Sequence, residues 1–340
     1  MKTTAAILAK LNSPLVIEEI SISDRLESGQ VLIQMESAAI CGSQIGEIKG
    51  VKGTDKYLPH LLGHEGIAIV LRTAKDVTKV SEGDRVAVHW MKGAGIDAKP
   101  ANYSSLKFSR INSGAIAVFT EKSIISENRI TKIGSESKSA IFSTLGCGLL
   151  TSYGVLTRNL GILNKEGNLL ILGFGGIGQL IYLIGNVITK ANFSVLDRNA
   201  HSLELAKSWG ISSIFSNLGD IPEDKYDFVI DTTGNVKSIE KGYECLSQIG
   251  HLILLGVTPV GQRISIDPMP LHFGKVLTGS FGGNANPEID IPMIQELVNS
   301  NLSHFDKYKF KNFKLNEINT AILELENNPN FSRALIDFSI

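Results

Sequence analysis

Leu169-Leu170-Ile171-Leu172-Gly173-Phe174-Gly175-Gly176-Ile177-Gly178 sets an apolar run against a cluster of glycines in the middle of this 340-residue chain. Its four leading apolar residues predict a buried strand, its glycines a tight turn, and residues 178 to about 190 a helix. Gly173 permits the turn, Gly175 lets a backbone approach a pyrophosphate, and Gly178 lets helix and strand pack closely. Gly176 and Ile177 complete the turn, and the helix N-terminus favours phosphate charge. Residues 169–188 carry no charge and are long enough to span a bilayer. Glycines at 173, 175, 176, 178 and 185 make strand, turn and helix the better reading.

Asp197 stands at the end of the next predicted strand, residues 193–196, 19 residues after Gly178. A carboxylate at that place accepts hydrogen bonds from the adenosine ribose and repels a 2′-phosphate, so NAD is expected over NADP. Arg198 beside it works against that preference. Helix 202–209 and strands 228–230 and 252–255 continue the alternation, which predicts a parallel doubly wound sheet. The alternation ends near Gly282-Gly283. Before it, residues 1–148 read as short strands and turns, including 16–20, 31–35, 67–71 and 85–88. The expected division is 1–148, then 149–284, then a tail, 285–340, that packs elsewhere.

Composition sets the outer bounds. Apolar residues make up 43% and charged residues 20% of the chain, as in an ordinary globular protein. A formal charge of -1 gives no reason to expect nucleic acid or an anionic membrane surface. Three cysteines cannot build a disulfide framework, which favours an intracellular enzyme. The apolar start at residues 1–9 breaks off at Lys10, Asn12 and Ser13, too early for a signal peptide. Lys307-Tyr308-Lys309-Phe310-Lys311 reads as a half-buried strand with a solvated face rather than a nucleic-acid strip.

Cys41, His64 and Cys147 carry the second chemical signal. Two thiolates and an imidazole make a three-ligand zinc site with one position open, the arrangement of a catalytic zinc. A metal together with a hydride carrier points to alcohol oxidation or carbonyl reduction. The residues around each ligand add to this. Ala38-Ala39-Ile40-Cys41-Gly42-Ser43, Leu62-Gly63-His64-Glu65-Gly66 and Leu145-Gly146-Cys147-Gly148-Leu149-Leu150-Thr151 together resemble the medium-chain zinc-dependent alcohol dehydrogenases. Gly279-Ser280-Phe281-Gly282-Gly283 resembles the same family's return to its catalytic domain.

The resemblance implies an α/β fold: a GroES-like, β-rich catalytic domain with an inserted doubly wound parallel Rossmann domain that binds NAD. It implies an active site in the cleft between them, a cytoplasmic homodimer or homotetramer, and an alcohol, polyol or carbonyl as substrate. Cys41, His64 and Cys147 would hold zinc, with Glu65 beside it as a supporting carboxylate or alternative ligand. Ser43 would relay the substrate proton. Thr151, Gly256, Val257 and Ser280 would line the nicotinamide, Arg333 would lie near the pyrophosphate, and Trp90 would wall the substrate pocket. The alternatives are a zinc-free quinone or enoyl reductase of the same fold and a non-catalytic nucleotide-binding relative.

Two positions depart from the family pattern. Gln44 stands where many relatives carry an acidic residue that orients the zinc-bound histidine. Gly46 stands where many carry the terminal base of a proton relay, and His60 is near in sequence. Residues 91–114 hold no cysteine or histidine, and Asp97 is their only acidic residue. No structural zinc is therefore expected, and one catalytic zinc per chain is. That lobe is expected to rest on Tyr103, Leu106 and Phe108, with a strand resuming at 115–119.

Overall fold

The computed structural model describes residues 1–51, 53–136, 139–328 and 331–339. It divides the chain into two compact units, Met1–Leu150 with Asn286–Ile340, and Thr151–Ala285.

The first unit opens with β1 (Lys2–Leu8), β2 (Val16–Ile22), β3 (Gln30–Ala39), α1 (Gly42–Ile48), β4 (His60–Leu61) and β5 (Glu65–Thr73). It continues through β6 (Arg85–His89), β7 (Tyr103–Ser104), β8 (Lys122–Ser126) and β9 (Ile130–Lys132). β1 shows why these segments are strands. Ala5 and Ile7 pack into one core with Ile20, Tyr103 and Ile111, whereas Ala6 and Leu8 pack into another with Ile33, Val86 and Phe119. That two-residue alternation, apolar on both faces, fits an extended strand between two cores and no helix. The hydrogen bonds of β1 place it in a small antiparallel sheet, β4-β1-β2-β7.

The second unit begins within α2 (Gly148–Gly154). It then alternates β10 (Glu166–Leu172), α3 (Gly176–Ile188), β11 (Lys190–Leu196), α4 (Ala200–Ser208), β12 (Ser213–Phe215) and β13 (Tyr226–Asp231). After these come α5 (Val236–Glu244), β14 (Leu246–Leu254), the short α6 (Met269–His272) and β15 (Val276–Gly279). Every pairing in this sheet is parallel, in the order β12-β11-β10-β13-β14-β15. That order reverses beside β10, the arrangement that opens a ligand crevice at the carboxyl ends of the strands. The uncharged stretch 169–188 is thus divided among β10, a turn and α3. Among the described residues no helix is long and apolar enough to cross a membrane.

The chain then returns to the first unit through α7 (Pro287–Ser300), α8 (Leu302–Phe305), β16 (Phe310–Phe313), α9 (Ile318–Asn327) and β17 (Arg333–Asp337). β17 pairs with β3, completing a larger sheet, β16-β17-β3-β5-β6-β9, with β8 also on β3.

Three local expectations are corrected. Residues 115–119 form no strand; the strand comes later, as β8, while Val118 and Phe119 each donate from the backbone to the Leu62 carbonyl at 3.0 Å. The Phe119 carbonyl also accepts from the Ala6 N–H of β1 at 2.9 Å and the Ala115 carbonyl from the Ser126 N–H of β8 at 3.1 Å, so the segment bonds to three different partners in turn and builds no ladder with any of them. Leu106 is fully exposed, whereas Tyr103 is buried and Phe108 packs on the same core. The strand expected over 307–311 begins only at Phe310, because Tyr308 is drawn into the interior beside Arg333.

Candidate functional site

Cys41 ends the segment after β3 and caps α1 from an extended backbone, φ −88° and ψ 148°. His64 lies in the link from β4 to β5, and Cys147 immediately precedes α2. One ligand atom from each of these three residues lies within 4.8 Å of the others. Both cysteines are buried and free of disulfides. Nε2 of His64 is buried with no hydrogen-bond partner. An orphaned imidazole nitrogen beside two thiols is costly unless something binds it.

The charges of the cluster are coupled. A hydrogen bond from the Cys147 thiol lowers the pKa of Cys41 well below its ordinary value, against the cost of burial and with help from Arg333 and His64. Cys147 is raised well above its ordinary value by the same bond, by burial, and by the negative charges of Cys41 and Glu65. The pair therefore holds one thiolate readily and resists the second. A bound cation removes that resistance, so the donor set fits zinc.

Residues adjoining the ligands hold the cluster together. Gln44, 1% exposed, accepts a hydrogen bond from the Cys41 backbone N–H at 2.9 Å through Oε1, and its Nε2 meets Nδ1 of His64. Glu65 accepts from the Gly148 backbone N–H at 2.9 Å, linking the neighbours of His64 and Cys147. Burial raises the Glu65 pKa to about 7, opposed by Arg333. Oε1 of Glu65 lies 3.5 Å from Nη1 of Arg333 but makes no hydrogen bond, so the contact is one of charge. Arg333 is itself buried; it donates to the Ile40 carbonyl at 3.2 Å and the Tyr308 hydroxyl at 3.3 Å. Its Nη2 is buried without a hydrogen-bond partner, and its charge helps to lower the pKa of Cys41.

Oγ of Ser43 is buried without a hydrogen-bond partner. Trp90 is half-buried, and its carbonyl accepts from Arg129. Gly46 lies on α1, which leaves no side chain there. A cavity of about 530 Å³ in the first unit reaches Gln44 and His64 and is lined further out by His60, Asp55, Glu47 and Ile116.

In the second unit the glycine turn follows β10. Gly173 has φ +94°, and a Cβ there would lie 2.6 Å from Oγ1 of Thr232. A Cβ on Gly178 would lie 2.1 Å from the Gly173 carbonyl oxygen, so only glycine allows this approach of helix and turn. Gly175, the residue before α3, is exposed and has nothing within 4 Å of an added Cβ. Open space against a bare backbone at a helix N-terminus is where a phosphate can approach. Gly176 and Ile177 begin α3. Asp197 accepts from the Phe174 N–H at 2.7 Å and the Asn199 N–H at 2.8 Å, so its carboxylate braces the turn. Arg198 beside it is exposed.

Thr151, buried, abuts Gly283 through its carbonyl; a Cβ on Gly283 would lie 2.4 Å from that oxygen. Ser280 donates to Oδ1 of Asn159 at 2.8 Å and accepts from the Gly283 N–H at 2.9 Å. Gly256 follows β14, and Val257 is exposed. Sequence reasoning passed over the neighbouring turn Asp231-Thr232-Thr233-Gly234. Buried Asp231 accepts from the Thr233 hydroxyl at 2.6 Å and the Gly234 N–H at 2.9 Å. Thr232 donates toward the carbonyls of Leu172 and Gly173, each at 3.0 Å, which fixes the floor of the glycine turn. An acidic residue ending a strand before a threonine pair and glycine was the available signal.

The strand-rich unit with its thiol–imidazole cluster and the parallel sheet with its glycine turn define the GroES-like and Rossmann architecture. Residues 27–135 match the family model described as Alcohol dehydrogenase GroES-like domain, and residues 176–299 the one described as Zinc-binding dehydrogenase. The chain belongs to the medium-chain zinc alcohol dehydrogenase family. It is 24% identical to "Alcohol dehydrogenase-like 7" of Arabidopsis thaliana, over 94% of this chain and 92% of that one. Its fold is similar to that of an alcohol dehydrogenase zinc-binding domain protein from Burkholderia ambifaria, with a TM-score of 0.88 at 20% identity. It is also similar to benzyl alcohol dehydrogenase from Acinetobacter calcoaceticus, with a TM-score of 0.86 at 19% identity. Each of these two structures covers 99% of this chain and is itself 99% covered.

Proposed function

We propose that this protein is a zinc- and NAD-dependent dehydrogenase that oxidises an alcohol or polyol, or reduces the corresponding carbonyl compound. The carrying observation is the unpartnered Nε2 of His64 beside two buried thiols of unequal acidity. Cys41, His64 and Cys147 would hold one zinc, with Glu65 and Arg333 balancing charge behind them. Such a zinc supplies a Lewis acid that lowers the pKa of an alcohol hydroxyl or polarises a carbonyl. The nicotinamide supplies the hydride acceptor or donor.

The chain's own residues do the rest. Ser43, with no partner of its own, is free to accept the substrate hydroxyl proton and donate its own hydrogen onward. Gly175 and the start of α3 would receive the pyrophosphate, and Asp197 the adenosine ribose hydroxyls. The negative charge of Asp197 favours NAD over NADP. Thr151, Gly256, Val257 and Ser280 are assigned to the nicotinamide end and Trp90 to the substrate pocket. Arg333, whose Nη2 has no partner, is assigned to the pyrophosphate side of the cofactor as well as to Glu65 and the thiols.

The protein is proposed to be a cytoplasmic homo-oligomer. β15 is an edge strand of the parallel sheet, and the nearby Met269, Phe273 and Val276 are exposed apolar side chains. An uncovered apolar edge favours pairing with a second copy. Sedimentation of the purified protein checks this, and a monomer at micromolar concentration sinks it.

The test of the main reading is Cys147→Ala. It is expected to abolish alcohol-dependent NADH formation and weaken zinc retention while leaving NADH binding nearly intact. Turnover that persists in metal-depleted Cys147→Ala protein would favour the zinc-free reductase instead. NADH binding by wild-type protein without turnover on a broad panel of alcohols would favour a non-catalytic relative.

A further inference from the structure

Away from the thiols, a second group of donor atoms converges on the wall of the same cavity. Glu47 comes from α1, Asp55 from the loop after it, and His60 from β4. Their ligand atoms all lie within 4.8 Å of one another. Nε2 of His60 is 2.8 Å from Oδ2 of Asp55 and 4.0 Å from Oε1 of Glu47. Oδ1 of Asp55 accepts from the Tyr57 backbone N–H at 2.8 Å, which aims Oδ2 at the imidazole.

The histidine is held from outside the group. His60 is 7% exposed, and its Nδ1 lies 2.9 Å from the Leu61 carbonyl oxygen. A carbonyl can only accept, so Nδ1 carries hydrogen. A neutral ring then presents its Nε2 lone pair directly at a carboxylate oxygen. Two lone pairs at 2.8 Å repel unless a proton or a cation lies between them. The Nδ1–H···O=C bond is the outer-shell contact that fixes metal-ligating histidines. For bonds of about 2.1 Å, adjacent ligand atoms lie roughly 3.0 Å apart in octahedral and 3.4 Å in tetrahedral sites. The observed 2.8 and 4.0 Å bracket those values, so a shift of the half-exposed Glu47 closes the set.

We propose that Glu47, Asp55 and His60 form a second cation site, taking a divalent ion of the zinc class. Imidazole with carboxylates suits zinc and its first-row neighbours better than magnesium or calcium. The ion sits between Nε2 of His60 and the carboxylates of Asp55 and Glu47 and ties α1 to β4. Its remaining positions face the cavity that reaches His64. With no thiolate, this site binds more weakly than the cysteine cluster, and it exceeds the sequence expectation of one metal per chain.

The test is zinc titration of full-length protein in four forms: wild type, Cys147→Ser, Asp55→Asn and both together. Asp55→Asn keeps the side-chain size, and Glu47→Gln serves as a second variant should it fold poorly. Saturated wild type is expected to hold about two zinc ions per chain, each single variant about one, and the double variant none. Zinc affinity at the second site should fall at least about tenfold in Asp55→Asn. Cobalt loading separates the two sites, because only thiolate ligation gives near-ultraviolet charge-transfer absorption. That band should persist in Asp55→Asn and vanish in Cys147→Ser. Cys147→Ser protein that binds no zinc, or whose zinc is unaffected by Asp55→Asn, overturns the second site. A missing cobalt–thiolate band in wild type overturns the cysteine site instead and leaves the second site judged by its own count.

Discussion

Gln44→Glu is expected to tighten zinc binding at the cysteine cluster. Oε1 of Gln44 is anchored by the Cys41 backbone N–H at 2.9 Å, which leaves the amide NH2 facing Nδ1 of His64. Nδ1 must then accept, so the ring hydrogen sits on Nε2, the atom that would have to bind metal. For Nε2 to offer a lone pair, the hydrogen must move to Nδ1 and Gln44 must turn its oxygen toward it. The amide NH2 then confronts the Cys41 N–H, and a buried donor loses its acceptor, at a cost of about 1–3 kcal/mol. A glutamate presents oxygen to both donors at once. A hydrogen bond to its charged oxygen contributes about 1.5–3 kcal/mol, reduced by burying a carboxylate near Glu65 and supported by Arg333. A net gain of about 1.4–2.8 kcal/mol corresponds to about 10- to 100-fold in affinity. The assay is competition of metal-free protein with a chelator of known zinc affinity at fixed pH. Equal or weaker binding by Gln44→Glu would refute the tautomer argument.

Cofactor choice is expected to depend on Asp197: Asp197→Ala should lower the NAD/NADP ratio of kcat/KM by about one to two powers of ten, the value of a charged hydrogen bond. An unchanged ratio removes Asp197 from ribose recognition. Ser43→Ala should lower kcat for alcohol oxidation by about 10²–10⁴, the range of general acid–base catalysis, and wild-type rates would exclude Ser43. His89 is buried between the Met91 carbonyl at 2.7 Å and the Thr131 hydroxyl at 3.0 Å, and burial holds its pKa down to about 3. The unfolded chain takes up a proton near pH 6.5 that the folded one refuses, so stability falls as pH drops from about 6.5 toward 3, by up to about 1.4 kcal/mol per unit. His89→Gln should flatten that limb in urea unfolding between pH 7 and pH 5; identical slopes in the two proteins would contradict it.

Local period and turn chemistry are legible in the residue order alone. The uncharged run before Gly173, read with the glycines that follow it, implies a buried strand, a turn and a helix from residue type alone. The residues flanking Cys41, His64 and Cys147 also mark them as ligands through motif resemblance. What it could not supply was contact between distant segments. Residues 115–119 have the apolar pattern of a strand but bond in turn to β8, the Leu62 loop and β1 without forming a ladder, and Leu106 is fully exposed. Arg333, on the last strand, is drawn into the thiol cluster through the pairing of β17 with β3. Gln44 could be counted as a missing acid from sequence, yet only the fold set its oxygen on Cys41 and its nitrogen on His64. Glu47, Asp55 and His60 likewise share no motif. Periodicity reports which face of its own element a residue occupies, whereas tautomers, ion pairs and donor clusters depend on which other element folds against it.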